Sequence, residues 1–164
     1  MRYSVSSRGL ALIRKFEGFR AAPAPLPGGG WLVGYGHVRI GAAGARVTKT
    51  EAAELLALDA APFERVVNRA LTGAVEQSQF DALVSFAFSV GESAFLASEV
   101  LREVNAGNAV PAAYAMDADV RESEFTHALL LRRAAEKAMF LKDSPNAAAP
   151  SALVRLRRSP AERL

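Results

Sequence analysis

Between Glu17 and Glu51 the chain carries no aspartate or glutamate. Glu17 lies in Phe16-Glu17-Gly18-Phe19-Arg20, ahead of a Pro/Gly-rich stretch from Pro23 to Gly30 and then Trp31-Leu32-Val33-Gly34-Tyr35-Gly36-His37. A carboxyl group can act as a general acid, handing its proton to a leaving oxygen. Cutting a bond between sugars by that route takes a second carboxyl, or a polar partner, on the other side of a cleft. The sequence around Glu17 offers no such carboxyl. Arg20, Tyr35 and His37 are the polar groups nearby. His37 could serve as a base or as a structural hydrogen-bonding residue.

The elements that must position these residues follow from spacing. Val5, Leu10, Leu12, Ile13 and Phe16 follow helical periodicity after a Ser6 or Ser7 N-cap, and Gly18 ends that helix. Glu17 then falls in the last turn, where the helix dipole disfavours a negative charge. That suits a proton donor, and it equally suits a structural glutamate paired with Arg132 or Arg133. Trp31-Leu32-Val33 and Val38-Arg39-Ile40 predict a small hairpin sheet. Thr48 and Glu51 form a capping box for a helix that Pro62 is expected to break or kink. A helix from Glu76 to Val90 is apolar nearly all round, hence buried, and Gly91 stops it. Shorter helices are expected near 94–105 and 110–117, and a last one from Phe125 to Leu141. Helices and strands are segregated, so the fold class is α+β and mostly α.

Composition narrows the rest. The 164 residues suffice for one domain with a real core. About half are hydrophobic (51%) and 23% are charged, as in ordinary globular proteins. With no cysteine and two histidines, His37 and His127, a metal site is not expected. No cofactor is implied. No apolar run reaches the length of a membrane span, and the apolar stretch near the start is too short for a secretory signal, which leads to a cytoplasmic expectation. The net charge is +3, of which +2 falls on residues 143–164, where Arg155, Arg157, Arg158 and Arg163 face Asp143 and Glu162. No basic stripe on the domain itself calls for nucleic acid. Residues 1–143 therefore form the domain, and 144–164 read as a Pro/Ala linker with a flexible basic tail.

Seven segments in order resemble the phage-type lysozymes of glycoside hydrolase family 24. They are Phe16 to Arg20, Gly30-Trp31, Gly34 to His37, Thr48 to Leu56, Gln79 to Phe88, Leu101 to Gly107 and Arg132 to Glu136. The resemblance implies a two-lobed lysozyme-like fold, with a small N-terminal β-hairpin lobe and a larger helical lobe flanking a cleft for peptidoglycan. It also implies a catalytic Glu at Glu17, an Asp at the position held by Leu26 and a Thr at the position held by Leu32. The Tyr that usually precedes the Asp falls at Ala24. Ser89 stands where the family has Asn, and Ala128 where it has Gly.

Leu26-Pro27, the Asp81 to Phe88 segment and Arg132 to Leu141 look like one degenerate branch, the muramidase-like domain of a bacterial polar scaffold protein. That branch implies a cytoplasmic, non-lytic domain that self-associates and localises a sensor histidine kinase or another polar protein. It also implies membrane anchoring at the cell pole in a longer protein. Leu26 and Leu32 are then expected as an exposed contact surface, and Tyr35, His37, Arg132 and Arg133 as cleft or structural residues. Two further readings stay open: an active peptidoglycan muramidase using Glu17 as general acid, and residual peptidoglycan binding without cleavage.

Overall fold

The computed structural model describes residues 2–119 and 126–143, with the side chains of Ala118 and Asp119 outside the description. The linker and tail expected over 144–164 lie outside the described residues. Helix α1 is Ser7–Glu17. Strands β1 (Arg20–Pro25), β2 (Trp31–Gly34) and β3 (His37–Arg39) form an antiparallel sheet in the order β1-β2-β3. Helices α2 (Lys49–Ala70), α3 (Gln77–Val90), α4 (Glu92–Leu96), α5 (Glu99–Asn105) and α6 (Ala109–Ala115) follow. A 3₁₀ turn at Met116–Asp119 leads on, and α7 is Thr126–Leu141. The fold is α+β, mostly helical, with one small sheet in its first third.

The hairpin expected from the sequence is β2 and β3, and β1 is an added strand. Ala and Pro have low strand propensity, so Arg20–Pro25 carries no strand signature. Its two prolines lack a donor and are tolerated because β1 lies at the sheet edge. Pairing puts Ala24 opposite Leu32 and Leu32 opposite Val38. The Leu26 N–H donates to the Gly30 carbonyl (3.0 Å) and closes the turn. Alternation then sets Ala24, Leu26, Leu32 and Val38 on one face. Val33 takes the other face, where it is buried with Val47 and Ala52 against α2.

Pro62 does not interrupt α2, which runs unbroken from Lys49 to Ala70. Proline removes the bond to the carbonyl four residues back, that of Leu58. Leu58 and Pro62 are both exposed, so water can take the freed acceptor. The expected capping box forms at the start of α2, with the Thr48 N–H donating to Glu51 Oε2 (2.7 Å) and the Glu51 N–H to Thr48 Oγ1 (3.2 Å). The Thr48 backbone N–H, and after it the Thr48 hydroxyl, donate to the Glu51 carboxylate and hold it below its ordinary range. The helix expected over 94–105 is two helices, because Ser98 Oγ caps a fresh start by accepting from the Leu101 N–H (3.1 Å).

The larger core is built around α3. Phe80, Ala82, Leu83, Val84, Phe86 and Ala87 are buried there, with Ile13 of α1, Leu56 and Val67 of α2, and Phe140 of α7 around them. Polar residues enter α3 at a helical interval, at Asp81, Ser85 and Ser89. Asp81 Oδ1 accepts from the Ser6 N–H (2.8 Å), and the Ser6 hydroxyl donates to the same carboxylate. Ser6 in turn caps α1. One side chain of α3 thus fixes where α1 begins, and so where it ends, at Glu17.

Ser6→Ala should lower unfolding free energy by about 1–2 kcal/mol, because it removes the cap and one donor to Asp81. Urea unfolding followed by circular dichroism reads this directly. An unchanged midpoint would show that the Ser6–Asp81 contact does not fix α1.

Candidate active site

Glu17 ends α1, with Gly18 as its C-cap at φ 70°, a conformation natural to glycine. Its carboxylate is partly exposed. Arg132 Nη1 donates to Glu17 Oε1 at 2.7 Å. Gly36 closes the other side, where a Cβ would sit 3.2 Å from Glu17 Oε2. Glycine there lets the β-lobe backbone come down onto the carboxylate.

Behind Arg132 lies a buried polar network. Glu136 is 0% exposed. It accepts from Arg132 Nε (3.1 Å), from Ser85 Oγ (2.6 Å) and from Arg133 Nη1. Arg132 Nη2 donates to the Ser85 carbonyl (3.2 Å), and Arg133 Nη2 to Ser89 Oγ (2.8 Å). In their ionised forms, two guanidiniums and two carboxylates balance.

The structure assigns separate work to the two expected arginines. Arg132 holds Glu17, whereas Arg133 turns to Glu136 and Ser89. His37 Nδ1 lies 2.9 Å from Asp59 Oδ2 of α2 and so ties β3 to that helix. Tyr35 packs against both hydrophobic clusters and meets the Phe19 ring at 5.5 Å between centroids. Phe86 is core, and Phe88, partly buried, packs on Phe63. Trp31 is half-buried, its indole N–H donating to the Gly41 carbonyl (3.0 Å).

Leu26 and Leu32 share the sheet face turned away from α2, but they are half-buried rather than exposed. Leu26 is folded into the turn and Leu32 is flanked by Ala24 and Val38 on its neighbouring strands. The exposed apolar residues of the lobe are Val38, at 46%, and Ile40, at 84%. Sequence reasoning missed Ser85, Asp59 and the pairing role of Glu136. Asp81, Ser85 and Ser89 recur at intervals of four within the apolar stretch of α3, a polar seam that could have revealed Ser85.

A carboxylate at the end of the first helix, a small sheet above it and an arginine reaching it from a late helix define a lysozyme-like two-lobed fold. The comparisons agree. The phage lysozyme family model matches residues 14–136, and the chain belongs to that family. The endolysin of Salmonella phage P22 is 32% identical over 142 residues, covering 84% of this chain and 97% of the relative. The endolysin of Bacillus phage PZA is 37% identical and covers 86% of this chain, which spans 56% of that relative's length. Among solved structures, the muramidase domain of SpmX from Asticaccaulis excentricus superposes with a TM-score of 0.79 at 43% identity, over 85% of this chain and 99% of that one.

Glu136→Ala should destabilise the protein by about 3–5 kcal/mol, because it strands two buried guanidiniums. Glu17→Gln should cost clearly less, since that carboxylate is partly exposed and Arg132 keeps Glu136. Paired urea titrations of the two variants check the order. Equal losses would show that Glu17 contributes as much as Glu136 to holding the network.

Proposed function

We propose that this chain is a repurposed lysozyme-fold domain. Its muramidase activity is lost or strongly reduced, and it acts as a protein-interaction and oligomerising scaffold for polar localisation. The observation that carries this is the sheet face of the β-lobe. Ala24, Leu26 and Leu32 stand side by side where the family's Tyr, Asp and Thr are expected, and none can orient water. No carboxylate lies anywhere in residues 18–50 to replace them. The proposed partners are further copies of this chain and a polar protein such as a sensor histidine kinase, and the proposed compartment is the cytoplasm. No helix among the described residues is long and apolar enough to cross a membrane.

One observation favours a second reading, an active endolysin-type muramidase. Glu17 keeps the end-of-helix position and a partly exposed carboxylate, as a general acid requires. The two readings separate in one assay. Purified sacculi incubated with micromolar protein should release no more soluble glycan than with Glu17→Gln, and the turbidity should stay flat. Clearing abolished by Glu17→Gln would establish the enzyme. Co-sedimentation with sacculi without product would mark residual peptidoglycan binding.

A further inference from the structure

The end of the last helix meets the starts of two others. Between them, on the helical lobe, lies a cavity of about 590 Å³. Ser7 and Ala11 line it from α1, Ser78 from α3 and Met139 from α7, with Lys142 and Asp143 beyond. The cavity borders carry Arg8 and Lys142 against Asp81 and Asp143, so charge selects neither an anion nor a cation. The walls are chiefly apolar, and the volume is that of a ligand-sized cleft.

Two observations mark this cleft as a place for an occupant. Ser78 is 8% exposed, and its buried hydroxyl has no hydrogen-bond partner among the described residues. An unpaired buried polar group is costly and calls for a partner. A serine hydroxyl turns to suit an acceptor, and the cleft beside it has room for one. The second observation is the path of the chain. Helix α7 ends at Leu141, and Lys142 and Asp143 already line the cleft. Ser144 therefore starts about 3.8 Å further along. Nine residues, 144–152, then precede Leu153, Val154 and Leu156, the only Leu, Ile, Val, Met or aromatic residues between 144 and 163. A span of that length reaches up to about 30 Å, ample for a return to the mouth it leaves.

We propose that this cavity is a peptide-docking cleft and that its occupant is the chain's own segment 153–157. In an extended segment Val154 and Leu156 share one side, and Arg155 and Arg157 the other. The aliphatic pair enters the cleft, the arginines face water and Asp143, and a backbone carbonyl supplies the acceptor that the Ser78 hydroxyl lacks. The attachment is intramolecular, with an effective concentration in the millimolar range, so two apolar side chains suffice. The cleft borders the Ser6–Asp81 contact that sets the start of α1. Its occupant clamps α1, α3 and α7 at that corner. Glu17 lies at the other end of α1, so docking is separate from the catalytic question.

The test is amide hydrogen exchange and chemical shifts by NMR on the full chain, at two protein concentrations. After correction for intrinsic rates, the amides of residues 154–157 should exchange at least about tenfold more slowly than those of 161–164. Val154→Asp/Leu156→Asp should abolish that protection and shift the resonances of Ala11, Ser78 and Met139. Ala11→Arg, at an exposed helix position, should release the same segment from the cleft side with the segment itself intact. Circular dichroism checks that each variant keeps the native fold. Amides of 154–157 that exchange as freely as 161–164 in the parent overturn the proposal, as do cleft resonances that ignore the aspartate substitutions. Protection that appears only as concentration rises would mean that the segment docks on another copy. Protection that appears only with added anionic phospholipid vesicles would mean that the arginines seek a membrane surface. Either result overturns the intramolecular clamp.

Discussion

A buried carboxylate with no exposure at all is the constraint on which the rest of the molecule turns. Glu136 cannot be left unpaired in the core, since desolvating a lone charge costs several kcal/mol. It is answered by Arg132, Arg133 and Ser85. Those bonds set the rotation and height of α7 against α3. Arg132 then has one free arm, and it reaches Glu17. Glu17 is the end of α1, and Gly36 rests on its other side. A single line of contacts therefore runs from the last helix through the core to the small sheet. Asp81 does the matching work at the other end of α1, through Ser6.

Glu17 is tied through Arg132 to the helical core, so a change at Arg132 is felt by three helices. Ala24, Leu26 and Leu32 lie on the sheet face turned away from α2. Val33 and Val47 carry the attachment to α2, and they point the opposite way. Aliphatic side chains at 24, 26 and 32 cost the fold little. Substitution on that face is therefore expected to disturb the fold less than substitution of Arg132 or Glu136.

Much of this was legible in the sequence, where local rules and global packing agree. Ser6, Gly18, Thr48 with Glu51, and Gly91 mark helix ends by chemistry that is independent of context. The buried character of α3 followed from its uniform apolarity. The family and fold followed from seven short segments in order, and the likeness to the SpmX domain bears this out. Three features were not legible, for physical reasons. Strand β1 is made by its partner β2, not by its own Ala and Pro residues. The effect of Pro62 depended on whether the Leu58 carbonyl faced water. The burial of Leu26 and Leu32 depended on the turn and on cross-strand neighbours, which no single-strand pattern reveals.

The presence of Glu17 does not by itself decide for catalysis, because the network also gives it a structural partner. A glutamate at that position is accounted for by Arg132, which is buried and needs acceptors at both ends. Removing Glu17 would expose one guanidinium nitrogen to an unfilled site even in a protein that never touched a sugar. Catalytic function has to be read instead from groups that the fold does not need. In this chain those positions are Ala24, Leu26 and Leu32, where only the chemistry of a substrate would call for a carboxylate or a hydroxyl. They carry neither.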